Sequence, residues 1–122
     1  MRKYITLILY ILPFLISMNS YADAKKTVRI PQLSNEKVSV WTTVIYPNKD
    51  HILKMHRHEH NRVIVALDNG LIKVVNNKGA EHFLKLEKDK AYYLSKDLPN
   101  ELHTDENMGK HPIKVVVIEL KN

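Results

Sequence analysis

The sequence predicts a single all-β domain built from short strands closed into a barrel or packed as a sandwich. Three observations predict it: apolar residues alternate with a period of two along most of the chain, turn residues separate these runs at short spacing, and no helical period is found. The 122 residues are 44% hydrophobic and 26% charged, which is typical of one globular domain. A barrel is favoured because closure removes exposed strand edges.

The first 22 residues are excluded from that domain because they have the three parts of a signal peptide. Arg2 and Lys3 are followed by an apolar run of 13 residues, 4–16, and by a small polar segment that ends at Ala22. A membrane-spanning helix needs about 20 apolar residues, so the run predicts a cleaved leader and no stable membrane anchor. Cleavage after Ala22 leaves 100 residues, although a cut after Ala24 also fits. We therefore expect export, to the periplasm by default or beyond it as a secreted protein.

Composition removes several function classes. There is no cysteine, which excludes a disulfide scaffold, a thiolate metal site, a cysteine nucleophile and a lipid-anchored lipoprotein. The formal net charge of +6 falls to +4 once Arg2 and Lys3 leave with the leader, because 17 basic residues then face 13 acidic ones. The basic residues are scattered and not interleaved with aromatic ones, so nucleic acid is not an expected partner.

The rest of the chain divides into an arm and the barrel. Residues 23–36 are mixed and polar and predict an N-terminal arm or a first edge strand, and residues 37–122 hold the barrel domain. Asn69-Gly70 predicts a tight hairpin turn, and the segments 77–79 and 88–89 predict two further turns. Strands are expected over residues 38–46, 62–68, 71–76, 81–86, 91–94, 101–105 and 113–121.

The chemistry concentrates in residues 54–60, Lys-Met-His-Arg-His-Glu-His. In a strand, His56, His58 and secondarily His60 would share one face, where two imidazoles can chelate a divalent metal. A solvated histidine row fits the same pattern. His103, 45 residues after His58, is the candidate third ligand because a closed barrel can bring a late strand beside an early one; otherwise it caps a loop. The candidate metals are zinc, iron, nickel, manganese and copper.

Two segments resemble the motifs of the cupin family. His56-Arg57-His58 and the strand that runs on to Gly70 resemble the first motif, G-x5-H-x-H-x3,4-E-x6-G. The segment 103–107, His-Thr-Asp-Glu-Asn, is similar to the end of the second motif, G-x5-P-x-G-x2-H-x3-N. The resemblance covers about residues 38–120. It implies a small RmlC-like jelly-roll β-barrel with an internal pocket, His56, His58 and His103 as metal ligands, and a homodimer.

The chain departs from the cupin pattern at one charged position. The glutamate ligand of the first motif would lie four or five residues after His58, where this chain has Arg62 and Val63. A guanidinium is permanently positive and repels a metal if it points inward. Arg62 is therefore expected either to bind an anionic ligand or to form a structural ion pair with Glu119 or Glu101.

These features predict an exported cupin-domain protein that binds a small anionic molecule, such as a carboxylate or sugar acid, in the barrel pocket. In this interpretation Arg62 anchors the anion, and the histidines donate hydrogen bonds or hold a divalent metal. The alternative is a metal-dependent cupin enzyme, an oxygenase, isomerase or lyase, that uses His56, His58 and His103. The sequence identifies no catalytic residue, and the only expected partners are the small-molecule ligand and a second copy of the chain.

Overall fold

The computed structural model describes residues 28–47 and 52–122, and over these residues the chain is all-β, as predicted, with no helix. The predicted leader, residues 1–22, lies outside the described part. Within that part, no helix has the length and apolar character needed to cross a membrane. The strands are β1 Val28–Ser34, β2 Val38–Ile45, β3 Leu53–His56, β4 Arg62–Ala66, β5 Gly70–Asn76, β6 Glu81–Leu86, β7 Ala91–Leu94, β8 His103–Asn107 and β9 Ile113–Leu120.

The strands form two antiparallel sheets whose apolar faces share one core. One sheet has the order β1-β2-β9-β4-β7 and the other the order β3-β8-β5-β6, so most neighbours are distant in sequence. Period-two burial along β4 and β9 directs alternate side chains inward, as the alternation in the sequence predicts. Fully burying an aliphatic side chain of this kind stabilises the fold by about 1.5–3 kcal/mol. The buried core consists of Trp41, Ile45, Ile64, Ala66, Ile72, Val74, Leu86, Ile113, Val115 and Val117.

The connection at Asn69-Gly70 is not a hairpin, so that prediction is wrong. Strand β4 pairs with β9 and β7 in one sheet, whereas β5 pairs with β6 and β8 in the other. The connection is therefore a crossing between sheets, and neither residue has a positive φ. Gly70 is required for another reason: a Cβ there would lie 2.1 Å from Cδ1 of Ile113. Local sequence signals a bend, but only the strand partners decide whether the chain returns to the same sheet.

Two other predicted turns are confirmed. The β5–β6 hairpin turns at Gly79, which has a φ of 84°. The Asn76 side chain stabilises this turn by accepting hydrogen bonds from the backbone N–H groups of Lys78 and Ala80, both at 2.9 Å. The turn before β7 places Asp89 at a φ of 68°. Because turn residues bracket them on both sides, β6 and β7 have the predicted limits.

Strand β1 lies at the outer edge of the five-stranded sheet and is exposed along its length. Among the described strands it pairs with β2 alone, and the register shifts between Pro31 and Leu33, where a bulge interrupts the ladder. One of its exposed side chains lines the edge of the pocket: the Arg29 guanidinium lies 4.7 Å from the ring centroid of Trp41. The edge strand therefore contributes a positive charge beside the pocket.

Candidate metal centre and barrel pocket

The three histidines singled out in the sequence meet at one end of the four-stranded sheet. His56, the last residue of β3, pairs with His103, the first residue of β8. One potential ligand atom from each of His56, His58 and His103 lies within 4.8 Å of the others. His58 reaches the group by a route other than the predicted one, because β3 ends at His56 and strand alternation does not extend to it.

A carboxylate from the loop before β8 holds His58 in place. The backbone N–H of His58 donates to Oδ2 of Asp97 at 2.7 Å, and the Asp97 N–H donates to the His58 carbonyl at 2.9 Å. The side chain of Arg57 adds a hydrogen bond to the Leu98 carbonyl. These contacts fasten the loop after β3 to the loop before β8, so the position of His58 is set by tertiary structure.

Hydrogen bonds also orient the imidazole rings. Nδ1 of His56 lies 2.7 Å from the Lys54 carbonyl, and Nδ1 of His103 lies 3.2 Å from Oδ2 of Asp97. Both neighbours are acceptors, so each Nδ1 carries the proton and each Nε2 presents its lone pair. Nε2 of His56 is 3.1 Å from Nε2 of His58. Acceptors behind the rings in this way fix the ring orientation in histidines that bind a metal.

Burial favours the neutral imidazole at His58 and His103. It is the largest cause that lowers the pKa of His58 to about 2, and the nearby Arg62 guanidinium is the next. Burial also lowers the pKa of His103, although Asp105 and Asp97 oppose that shift. The neutral imidazole is the form that binds a metal, so at pH 7 no proton need leave these two residues first.

The sequence pattern did not single out two carboxylates that contact the histidines. Oδ2 of Asp105 lies 3.4 Å from Nε2 of His56 and 3.8 Å from Nε2 of His103. The alternation of side chains along a strand could have identified Asp105, because residues two apart share a face and Asp105 lies two residues after His103. Asp97 lies in a loop, and no spacing rule could have found it. His60, the secondary candidate, is half-buried and lies outside the three-histidine group.

Arg62 points into the barrel and is only 8% exposed. Burial lowers its pKa from the usual value, and the charges of Asp97 and Asp105 oppose the shift. The predicted alternative, an ion pair with Glu119 or Glu101, does not form: Glu119 is its cross-strand neighbour, but the described residues give the guanidinium no ion-pair partner. Its one hydrogen bond to a described residue is to the Ser95 carbonyl, at 3.4 Å.

Two spaces lie beside this site and share part of their lining. An inner cavity of about 80 Å³ has mostly apolar walls, with Arg29, His58, Arg62 and Asp105 as its charged or titratable lining. An outer cleft of about 390 Å³ is bounded by Arg62, His103 and Asp105, and by polar residues of the loop before β8. Arg62 and Asp105 line both spaces. The cleft has the volume of a small-molecule site.

Solved structures share this architecture. A cupin domain from Bordetella pertussis Tohama I superposes with a TM-score of 0.68 at 21% identity, covering 80% of this chain and 95% of that one. An RmlC-like cupin family protein from Methanocaldococcus jannaschii gives a TM-score of 0.59 at 15% identity, covering 81% and 84%. A conserved protein with a double-stranded β-helix domain from Klebsiella pneumoniae gives 0.60 at 17%, covering 80% and 79%.

These similarities confirm the predicted fold, a small jelly-roll β-barrel of the cupin type. They concern the fold alone, since a fold of this kind carries many different functions. No protein-family model matches the sequence, and no curated protein matches it at a significant level. The residues that bear on function are therefore the histidines, the carboxylates and Arg62.

Proposed function

We propose that this protein, after export, binds a small anionic molecule in the barrel pocket, next to a divalent metal held by His56, His58 and His103. One observation carries the proposal: Arg62 is buried at the border of the inner cavity and the outer cleft, and its guanidinium has a single long hydrogen bond to a described residue. Localisation is inferred from the leader pattern in residues 1–22.

The chemistry of Arg62 supports an anion as the ligand. A guanidinium has five N–H donors, and burying a charge is costly unless it is paired. The 3.4 Å contact with Ser95 satisfies at most one of these donors. A carboxylate would accept two parallel hydrogen bonds from the guanidinium and neutralise its charge. Arg29, stacked on Trp41, adds a second positive charge to the lining of the inner cavity.

The chemistry of the histidines supports a metal. His56 and His103 present Nε2 while a hydrogen-bond acceptor occupies the other ring nitrogen, and burial keeps His58 neutral. Three imidazoles suit zinc, iron, nickel, manganese or copper better than magnesium or calcium. A bound cation would supply positive charge and Lewis acidity to an oxygen of the anion. Arg62 would orient the same anion from the other side of the pocket.

The enzyme alternative has less support from these residues. An isomerase or lyase also needs a group that is free to take or give a proton at the substrate. The carboxylates closest to the histidines are Asp97 and Asp105, and both are already directed at imidazole nitrogens. The binding function requires only groups that the pocket already presents.

Metal content is the first test. Purified protein should contain about one transition metal per chain by elemental analysis, and a His56→Ala, His58→Ala double variant should contain none. Protein that contains no metal and shows no thermal shift with zinc, nickel, manganese or iron salts would contradict the metal part of the proposal.

Calorimetric titration with small carboxylates and sugar acids tests the anion part. Arg62→Met should lower the affinity for the best-binding carboxylate by about 10- to 100-fold, because a hydrogen bond to a charged group contributes about 1.5–3 kcal/mol to binding. Lys85→Met is the matched control, since it removes one positive charge from an exposed position on β6. Equal affinity in wild type and Arg62→Met would show that Arg62 does not anchor the ligand.

Export has its own test. The protein recovered from a periplasmic or culture fraction should begin at residue 23, or at residue 25 if cleavage follows Ala24. Its intact mass distinguishes these starts. A chain that retains Met1 and stays in the cytoplasm would contradict export and leave the pocket chemistry unaffected.

A further inference from the structure

We propose that Asp105 supplies a carboxylate ligand to the metal, from strand β8 instead of from the strand that now begins with Arg62. The inference rests on the proposed three-histidine site and adds a fourth protein ligand to it. The sequence resemblance leaves the metal without a carboxylate, because Arg62 stands where the cupin pattern has glutamate. The geometry of β8 provides one two residues after His103.

The distances between donor atoms fit a four-coordinate ion. With metal–ligand bonds of about 2.0–2.1 Å, tetrahedral donors lie about 3.3 Å from one another. Nε2 of His56 lies 3.1 Å from Nε2 of His58 and 3.4 Å from Oδ2 of Asp105. Oδ2 of Asp105 lies 3.8 Å from Nε2 of His103. These three separations lie close to the value that one shared cation requires. The donor atoms of the three histidines span up to 4.8 Å, so a bound cation would draw the most distant pair closer together.

The proton positions lead to the same conclusion. His56 and His103 direct Nδ1 at a carbonyl and a carboxylate, so Nε2 of each ring carries a lone pair. Both of those Nε2 atoms face Oδ2 of Asp105, which is an acceptor as well. When the rings are neutral, these two nitrogen atoms and the carboxylate oxygen offer lone pairs to the same region. A divalent cation there would be bound by all three atoms.

Among the described residues, Asp105 has ion-pair contacts with His56 and His103, and its side chain makes no hydrogen bond to the backbone. Its charge also acts on the Arg62 guanidinium, which lies beyond ion-pair distance. Asp97, by contrast, bonds the His58 backbone and Nδ1 of His103, so it orients ligands without facing the donor cluster. The two carboxylates thus have separate positions, Asp105 inside the cluster and Asp97 behind it.

The test measures metal binding and not turnover. Zn²⁺ affinity is measured by competition with a chromophoric chelator, and Co²⁺ substitution reports the ligand set through its visible absorption. Asp105→Asn should lower the affinity for Zn²⁺ by about 100-fold or more and should change the Co²⁺ spectrum. Removing a group that only hydrogen-bonds to a metal ligand already lowers metal affinity by about 10- to 100-fold, and removing a ligand should cost more. Glu106→Gln is the matched control, because it neutralises the next carboxylate along β8, on the opposite face.

The outcomes separate the two proposals. If Asp105→Asn keeps wild-type affinity and spectrum while the His56→Ala, His58→Ala variant binds nothing, the three-histidine site stands and the role of Asp105 is wrong. If wild-type protein binds neither ion, both proposals are overturned. Should Asp105→Asn fail to fold, ¹³C NMR of the wild-type protein gives the answer, because the Asp105 carboxyl resonance must shift on adding Zn²⁺. An unshifted resonance refutes the proposal.

Discussion

Replacing Gly70 with alanine is expected to destabilise the protein by about 2–3 kcal/mol, at the upper end of what overpacking a core costs. The new Cβ would lie 2.1 Å from Cδ1 and 2.5 Å from Cγ1 of Ile113. Carbon atoms pack best at about 3.5–4.0 Å, so one of the groups must move by more than 1 Å. Ile113 is 1% exposed and does not line the inner cavity. For a domain of this size, the melting temperature should fall by about 10–20 °C.

A second substitution distinguishes this steric cause from a turn that requires positive φ. Asparagine tolerates positive φ better than alanine, so at a hairpin turn Gly70→Asn would be the milder change. In the sheet crossing, Asn carries the same Cβ and more atoms, so it should destabilise at least as much as Ala. Gly79 is the internal control, because its φ is 84° and nothing lies within 4 Å of its Cβ position. There Asn should be better tolerated than Ala.

Urea denaturation of all four variants, with melting temperatures as a second measure, gives the two rankings. At position 70, we expect the alanine variant to be at least as stable as the asparagine variant. At position 79, we expect the asparagine variant to be the more stable of the two. A Gly70→Asn variant that is clearly more stable than Gly70→Ala would refute the sheet crossing and restore the hairpin prediction. A loss below about 0.5 kcal/mol at Gly70→Ala would refute the steric argument.

Three further predictions concern buried polar groups. His58 has a pKa of about 2 when folded against an ordinary 6.5, so between these values the unfolded chain binds the extra proton. Stability of chelator-treated protein should therefore fall as pH drops below 6.5, by up to about 1.4 kcal/mol per unit, and urea melts of His58→Gln should show a flatter slope. Asn107→Ala should cost about 3 kcal/mol in the same assay, because this buried side chain donates to the Ile45 and His111 carbonyls and accepts from the Gly109 N–H. Arg62→Met should leave stability unchanged or raise it by about 1 kcal/mol while carboxylate binding is lost, and a large loss of stability would instead indicate a structural role.

The strands were predictable where the turn residues were unambiguous. Asn77-Lys78-Gly79 and Lys88-Asp89 mark both ends of β6, and the observed strand Glu81–Leu86 has the expected limits. Asn69-Gly70 misled because a close approach to Ile113 and a positive φ both select glycine. The sequence cannot distinguish these two causes, because both place a glycine at the same position. They differ in the sheet that the next strand joins.

The site was predictable to the extent that it follows from spacing. His56 and His103 lie at the facing ends of β3 and β8, and a barrel brings those ends together. The inward direction of Arg62 follows from the alternation along β4. The role of Asp97 could not be predicted, because it depends on two loops that meet only in the folded chain. The position of Asp105 two residues after His103 indicated that both share a face of the strand. Its closeness to His56 could not be predicted, because it depends on the register between β3 and β8.

If the pocket binds both ligands as proposed, its charges predict positive coupling between the metal and the anion. Arg62 is a buried cation whose one hydrogen bond to a described residue is 3.4 Å long, and it opposes a second positive charge at the histidines. An anion between them would pair with the guanidinium and coordinate the metal, so it removes the repulsion that each cation imposes on the other. Each ligand must then raise the affinity of the other by the same factor, because coupling free energy is reciprocal. The arginine that repels a bare metal is, on this argument, the group that makes metal binding depend on the anion.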